Sequence, residues 1–208
     1  MKKLRSIKES GIRVVLASKS PRRQELLKNL ALEFDVITSK VDEKGIVFDW
    51  KKPAEYAQGL AYAKALAVAE HLDHSVEALV IGADTIVVMD GRIMGQPDDE
   101  ADARRMLEAL SGTSNEVITG VSVIRIEGGV LAAQSGHEST DVYFRALSSN
   151  DIDKYIETGE PMDKAGAYGI QGFASLFVER INGCYFNVVG LPIMRLSKLL
   201  EAHGYSVL

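Results

Sequence analysis

The amino-acid sequence predicts an α/β fold in which a mixed β-sheet is flanked by helices. Two observations carry this. Short apolar runs alternate with helical patterns in the first part of the chain, as in strand–helix units. Later apolar stretches are broken at Gly128-Gly129 and Asn182-Gly183, the chemistry of tight turns between antiparallel strands. No repeat, low-complexity tract or Pro/Ser-rich linker divides the chain, so residues 1–208 are expected to form one domain.

Taken in order, residues 13–18 (RVVLAS) read as a buried strand. Residues 21–30 read as a helix with Leu26, Leu27 and Leu30 on one face. Ser20 suits its N-cap, and Pro21 its first position, where a missing N–H is not needed. Residues 34–39 form a second strand and residues 53–72 a long alanine-rich helix opened by Pro53. His71 and His74 near its end suit the negative pole of the helix dipole. Residues 77–95 read as a strand, an interruption, then a hairpin with Asp90-Gly91 at its tip. Asp98 or Asp99 caps a helix that Gly112 follows. Residues 115–147 are a long hairpin or meander, 148–159 a serine-capped helix, and 174–190 a hairpin turning at Asn182-Gly183. A C-terminal helix stops at Gly204.

With 46% hydrophobic and 25% charged residues, the composition is that of a globular chain able to build a sizeable core. The net charge of −5 argues against nucleic-acid binding by the surface as a whole. Its distribution is uneven: residues 1–28 hold nine lysines and arginines against Glu9 and Glu25, a balance of +7 that leaves −12 on the remainder. One cysteine, Cys184, excludes an intrachain disulfide and a thiolate zinc cluster and makes a reducing cytoplasm the natural compartment. The apolar run after the basic N-terminus is too short for a signal peptide, and none reaches the roughly 20 residues of a membrane helix. Dinucleotide-binding and P-loop glycine motifs and the serine-hydrolase elbow are absent.

Three places break local rules. In SKSPRR, Arg22 and Arg23 oppose the helix dipole at a cost of a few tenths of a kcal/mol each. A bound anion at the helix N-terminus would reverse that sign. Arg22 is the residue expected to meet it, with Arg23 as a support or surface residue, because successive helical positions face differently. In ALVIGADTIVV, Asp84 interrupts an apolar run. A carboxylate there must be hydrogen-bonded, paired or metal-bound, so a turn aspartate, a Mg²⁺ ligand and a general base all remain open. Residues 160–172 mix three glycines with Asp163, Lys164 and Gln171 and have no period. They suit a binding loop in which Lys164 meets phosphate and the Gln171 amide reads a uracil or thymine edge. Lys64 reads, from spacing alone, as an exposed helix lysine, and Asp42-Glu43 as a solvated turn.

LASKSPRRQELL, GADTIVV, LSGTSNEVITGVSV, EPMDKAGAYGIQG and NVVGLP stand in the order and spacing of the Maf family. The chain resembles these septum-formation-inhibitor-like nucleoside triphosphate pyrophosphatases from about Val14 to Leu199. The resemblance implies an elongated mixed sheet with flanking helices and two lobes around a deep cleft. It also implies hydrolysis of a nucleoside triphosphate to monophosphate and pyrophosphate with a divalent cation, Mg²⁺ or Mn²⁺. Asp84 matches the proton acceptor. Arg22, Thr85 and Gln171 match the specificity positions of the dTTP/UTP-directed subgroup. Ser18, Ser20, Lys64 and Lys164 fall among the substrate-binding positions, and Glu43 with Asp84 among the metal ligands. Homodimers are common in the family. One departure stands out: Gln96 occupies a place where a lysine is usual. The rival expectation is a non-catalytic nucleotide- or nucleic-acid-binding regulator of cell division, for which the basic N-terminal stretch and Gln96 are the best support.

Overall fold

The computed structural model describes residues 4–42, 46 and 51–208. Glu43, one of the expected metal ligands, lies outside them. Among the described residues the elements follow as β1 (Arg5–Ser6), α1 (Ile7–Ser10), β2 (Arg13–Leu16), α2 (Pro21–Asn29), β3 (Asp35–Val36) and α3 (Pro53–Ala69). Then come β4 (Ala78–Met89), β5 (Arg92–Met94), α4 (Glu100–Leu110), β6 (Ser114–Glu127), β7 (Val130–Phe144) and α5 (Ser149–Glu157). After 3₁₀ turns at Glu160–Asp163, Ala165–Ala167 and Gly172–Leu176, the chain ends with β8 (Val178–Asn182), α6 (Tyr185–Val189), α7 (Ile193–Ala202) and β9 (Tyr205–Ser206).

The main sheet runs β3-β2-β4-β6-β7-β8, with β5 added on β4. β2 is parallel to β3 and β4, whereas β4, β6, β7 and β8 are antiparallel to one another. This is the mixed α/β sheet that the sequence predicts. Its hairpin turns behave as their residues require: Asp90 and Gly91 both have positive φ, as do Gly128 and Gly129, which closes each two-residue loop.

Side chains alternate across the sheet, and so do the cores. On one face Val80 and Ala78 of β4 and Ile124 and Ile126 of β6 pack under Ala65, Val68 and Ala69 of α3. The other face carries two separate clusters. Leu79 and Ile81 pack with Leu27, Leu196 and Leu200 of α2 and α7. Val87 and Val117 pack with Leu107, Ile152, Tyr155 and Phe177 around α4 and α5. Two lobes therefore sit on that face with a cleft between them.

Helix α3 lies unusually close to its strands. A Cβ on Gly82 would stand 2.2 Å from the Ala61 carbonyl oxygen, and one on Gly120 2.2 Å from that of Ala57. Only hydrogen at those two strand positions, opposite alanines on the helix, permits this approach.

Several expectations need correction. Strand β4 is not interrupted: Asp84 pairs with Gly120 in an unbroken ladder from Ala78↔Ile126 to Val88↔Glu116. The antiparallel partner carries the strand past a residue that sequence marks as a break. Residues 174–190 are not a hairpin, because only β8 is a strand and residues Tyr185–Val189 form a short helix. Tertiary bonds decide that segment. The buried Asn187 amide donates to the Val117 carbonyl and accepts from the Thr119 N–H, both on β6. Ser20 occupies the N-cap position of α2, but its side chain makes no capping hydrogen bond. Asp99 does cap α4, accepting from the Asp102 N–H.

A candidate active site in a window of the sheet

β2 and β5 both lie on the side of β4 away from β6, since β4 residues 78–81 and 87–88 pair with β6 at the same time. β2 pairs as far as Ile81, whose carbonyl accepts from the Ala17 N–H, and β5 pairs with β4 from Val87 onward. Between them the edge of β4 from Gly82 to Ile86 faces a window. The alternation that turns the Ile81 carbonyl to Ala17 also turns the N–H groups of Ala83 and Thr85 into this window.

A cavity of about 660 Å³ wraps around that edge, a size ordinary for a small-molecule site. It reaches both faces of the sheet, because Asp84 and Thr85 are consecutive strand residues and point opposite ways. On the α3 face stand Asp84 and Lys64. Lys64 Nζ donates to Asp84 Oδ1 at 2.6 Å, and the two side chains are only 15% and 11% exposed. The close seat of α3 on Gly82 and Gly120 makes this contact possible. On the other face Val87, Val117, Tyr168 and Val188 form an apolar wall with Thr85 and Gln171 as polar members.

The loop after β2 closes the window. Ser18 and Ser20 line it, as do Lys19 and Arg22 at the start of α2. Arg23 holds the parts together. Its Nε donates to the Gly190 carbonyl at 2.8 Å and its Nη1 to Ser18 Oγ at 3.1 Å and the Ala83 carbonyl at 2.9 Å. Its Nη2 donates to Thr85 Oγ1 at 3.0 Å. The charge opposing the helix dipole thus joins α2, β4 and the turn before α7.

Arg22, Ser18, Ser20, Lys64, Asp84, Thr85, Lys164 and Gln171, all singled out by sequence, line this one cavity. Lys164 is less open than the sequence suggests. Its ammonium donates to the Glu160 carbonyl at 2.7 Å and to Asp163 Oδ1 at 2.6 Å, and its stem lies against Gly169. The Lys164 ammonium in turn holds the Asp163 carboxyl below the usual range. Gln96 also faces the cavity and donates to the Asp163 carbonyl at 3.0 Å.

Sequence reasoning missed two groups. Gly82 and Gly120 read as turn or strand glycines, although their pairing with an alanine-rich helix was visible in composition. Asn187 read as a strand residue and carried no polar signal of its own.

Among the described residues, five cationic side chains line the cavity (Lys19, Arg22, Arg23, Lys64, Lys164) against the carboxylates of Asp84 and Asp163. The site is a positive locus on an acidic chain. Among the described residues of the N-terminal basic stretch, Arg5 pairs with Glu77 and Arg13 with Asp35. Among the described residues no three His, Cys, Asp or Glu side chains form a metal cluster, and no helix is long and apolar enough to cross a membrane. One carboxylate beside an anion site fits Mg²⁺, which binds through one or two carboxylates together with water and substrate phosphates.

The family model described as Maf-like protein matches residues 13–203. A dTTP/UTP pyrophosphatase of Alkaliphilus metalliredigens is 51% identical over 92% of this chain and 96% of its own. One of Pelotomaculum thermopropionicum is 48% identical over 94% of this chain and 98% of its own. A third, of Clostridium botulinum, is 48% identical over 91% and 98%.

Proposed function

The chain belongs to the Maf family, and from that premise we propose that it is a nucleoside triphosphate pyrophosphatase acting on dTTP and UTP. Water attacks the α-phosphorus, the bond to the bridging oxygen of the β-phosphate breaks, and the monophosphate and pyrophosphate leave. The observation that carries the reading is the Lys64–Asp84 pair, buried at the edge of a cavity whose other charges are mostly cationic.

Asp84 is the group that orients the water and takes its proton. Lys64 holds that carboxylate in place through the 2.6 Å bond. A triphosphate carries roughly three to four negative charges, and phosphoryl transfer relies chiefly on positioning and charge neutralisation. Arg22, Lys19 and Lys164 supply cations. The N–H groups of Ala83 and Thr85 and the start of α2 supply donors. The base lies on the apolar face, against Val87, Val117 and Tyr168, with Thr85 and Gln171 as its polar contacts. A divalent cation, Mg²⁺ or Mn²⁺, would be held by Asp84, with Glu43 as second ligand, and when bound it supplies charge neutralisation and polarisation at the phosphates. A cytoplasmic homodimer completes the reading, supported by the lone cysteine and the family resemblance.

The test is a panel of canonical and modified nucleoside triphosphates with Mg²⁺ or Mn²⁺, detecting pyrophosphate and orthophosphate separately. Pyrophosphate from dTTP and UTP ahead of the purine nucleotides is expected. Orthophosphate as the released product, or no turnover of any nucleotide, overturns the proposal.

A further inference from the structure

Behind Thr85 lies a chain of hydrogen bonds whose direction can be assigned group by group. Asn187 is fully buried, and two backbone groups fix its amide: Oδ1 must accept from the Thr119 N–H at 3.0 Å and Nδ2 must donate to the Val117 carbonyl at 2.8 Å. This holds the Asn187 main-chain carbonyl 2.9 Å from Thr119 Oγ1, which donates to it. A hydroxyl has one proton, so that of Thr119 is committed. In the 3.0 Å contact between Thr85 Oγ1 and Thr119 Oγ1, Thr85 is therefore the donor. Arg23 Nη2 donates to Thr85 Oγ1 from another side. The proton of Thr85 thus points away from the cavity, and the remaining capacity of its oxygen is that of an acceptor.

Resting on the function proposed above, we propose that Thr119 and Asn187 are positioning residues that hold Thr85 as an acceptor towards the base, so that the cavity selects a pyrimidine with a ring N–H donor. Uracil and thymine present N3–H. Cytosine presents a lone pair at N3, and two facing acceptors repel. Neither Thr119 nor Asn187 lines the cavity, and both are completely buried. Thr119 meets the site through its contact with Thr85 Oγ1, and Asn187 sets the direction of that contact through Thr119.

The test is the ratio of kcat/KM for UTP over CTP in Thr119→Val, which keeps the volume and β-propensity and removes the hydroxyl. The Thr85 hydroxyl is then able to turn and donate, and the ratio falls about tenfold or more. Thr119→Ser, which restores the hydroxyl without the methyl, recovers the wild-type ratio. General damage to the fold lowers both substrates together and leaves the ratio unmoved. If Thr119→Val does not fold, Thr119→Cys takes its place with the same expected fall, since a thiol is a weak acceptor. An unchanged ratio in a folded variant of an enzyme that turns over UTP overturns this inference and leaves the proposed function standing. Absence of pyrophosphate from every nucleotide with the wild-type protein overturns both.

Discussion

Arg23 directs guanidinium N–H groups to Ser18, Ala83, Thr85 and Gly190, which belong to three different segments around the window. A lysine ammonium is a point donor and cannot span that fork. Arg23→Lys is expected to leave backbone carbonyls of Ala83 or Gly190 short of a donor, at about 1–3 kcal/mol for each buried group. Urea denaturation reads that loss directly, and turnover falls with it. At this scale Asp84 was legible because a carboxylate inside an apolar run must be hydrogen-bonded, paired or metal-bound. The division of labour between Arg22 and Arg23 was legible only in part. Their unlike facings follow from helical geometry, but that Arg23 is bound on every side to the protein depends on where α2 docks. Asn187 was legible only as the first residue of the NVVGLP motif, since a buried asparagine in an apolar stretch shows what it does only once its partners on β6 are known.

Helix α3 sets the distance across the Lys64–Asp84 pair. Its seat depends on two glycines, so Gly120→Ala places a methyl 2.2 Å from the Ala57 carbonyl and must push the helix off the sheet. Overpacking of this kind costs about 1–3 kcal/mol. The chemical denaturation midpoint is expected to drop, and kcat/KM to drop further than stability alone explains, because Lys64 moves away from Asp84. A variant that loses stability and keeps full turnover would show that the close seat serves packing only. Helices α2, α3, α4, α5 and α7, the two tight hairpins and the mixed sheet were readable from period and turn chemistry. The continuity of β4 was not, because an antiparallel neighbour overrides a local break. Helix α6 was not either, because Asn182-Gly183 is a strong hairpin signal that bonds to Thr140, Thr119 and Val117 override.

The whole molecule is acidic, while among the described residues the charged side chains that line its cavity are mostly cationic. Screening shortens the reach of such a site, so KM for dTTP is expected to rise with ionic strength while kcat changes little. Stability also has a pH dependence of known sign. Burial holds the His203 imidazole below its ordinary value of about 6.5. The unfolded chain then binds more protons there than the folded one, so stability is intact above about pH 6.5 and falls as pH drops below it. His203→Gln is expected to flatten the fall in melting temperature between about pH 7.5 and 5.5, with the ring bond to the Val123 carbonyl replaced by an amide. Charge balance and the likeness of five separated motifs made the anionic substrate legible at this scale. The window in the sheet was not, since it arises from where β2 ends and β5 begins. Asp84 at that window is the group proposed to drive release of pyrophosphate. The most direct measurement is pyrophosphate formed from dTTP by the wild-type protein and by Asp84→Asn under the same divalent cation, with both proteins shown to melt alike. Loss of the product in the variant, at least about a hundredfold, is the predicted result. Near-wild-type pyrophosphate release by Asp84→Asn would contradict it.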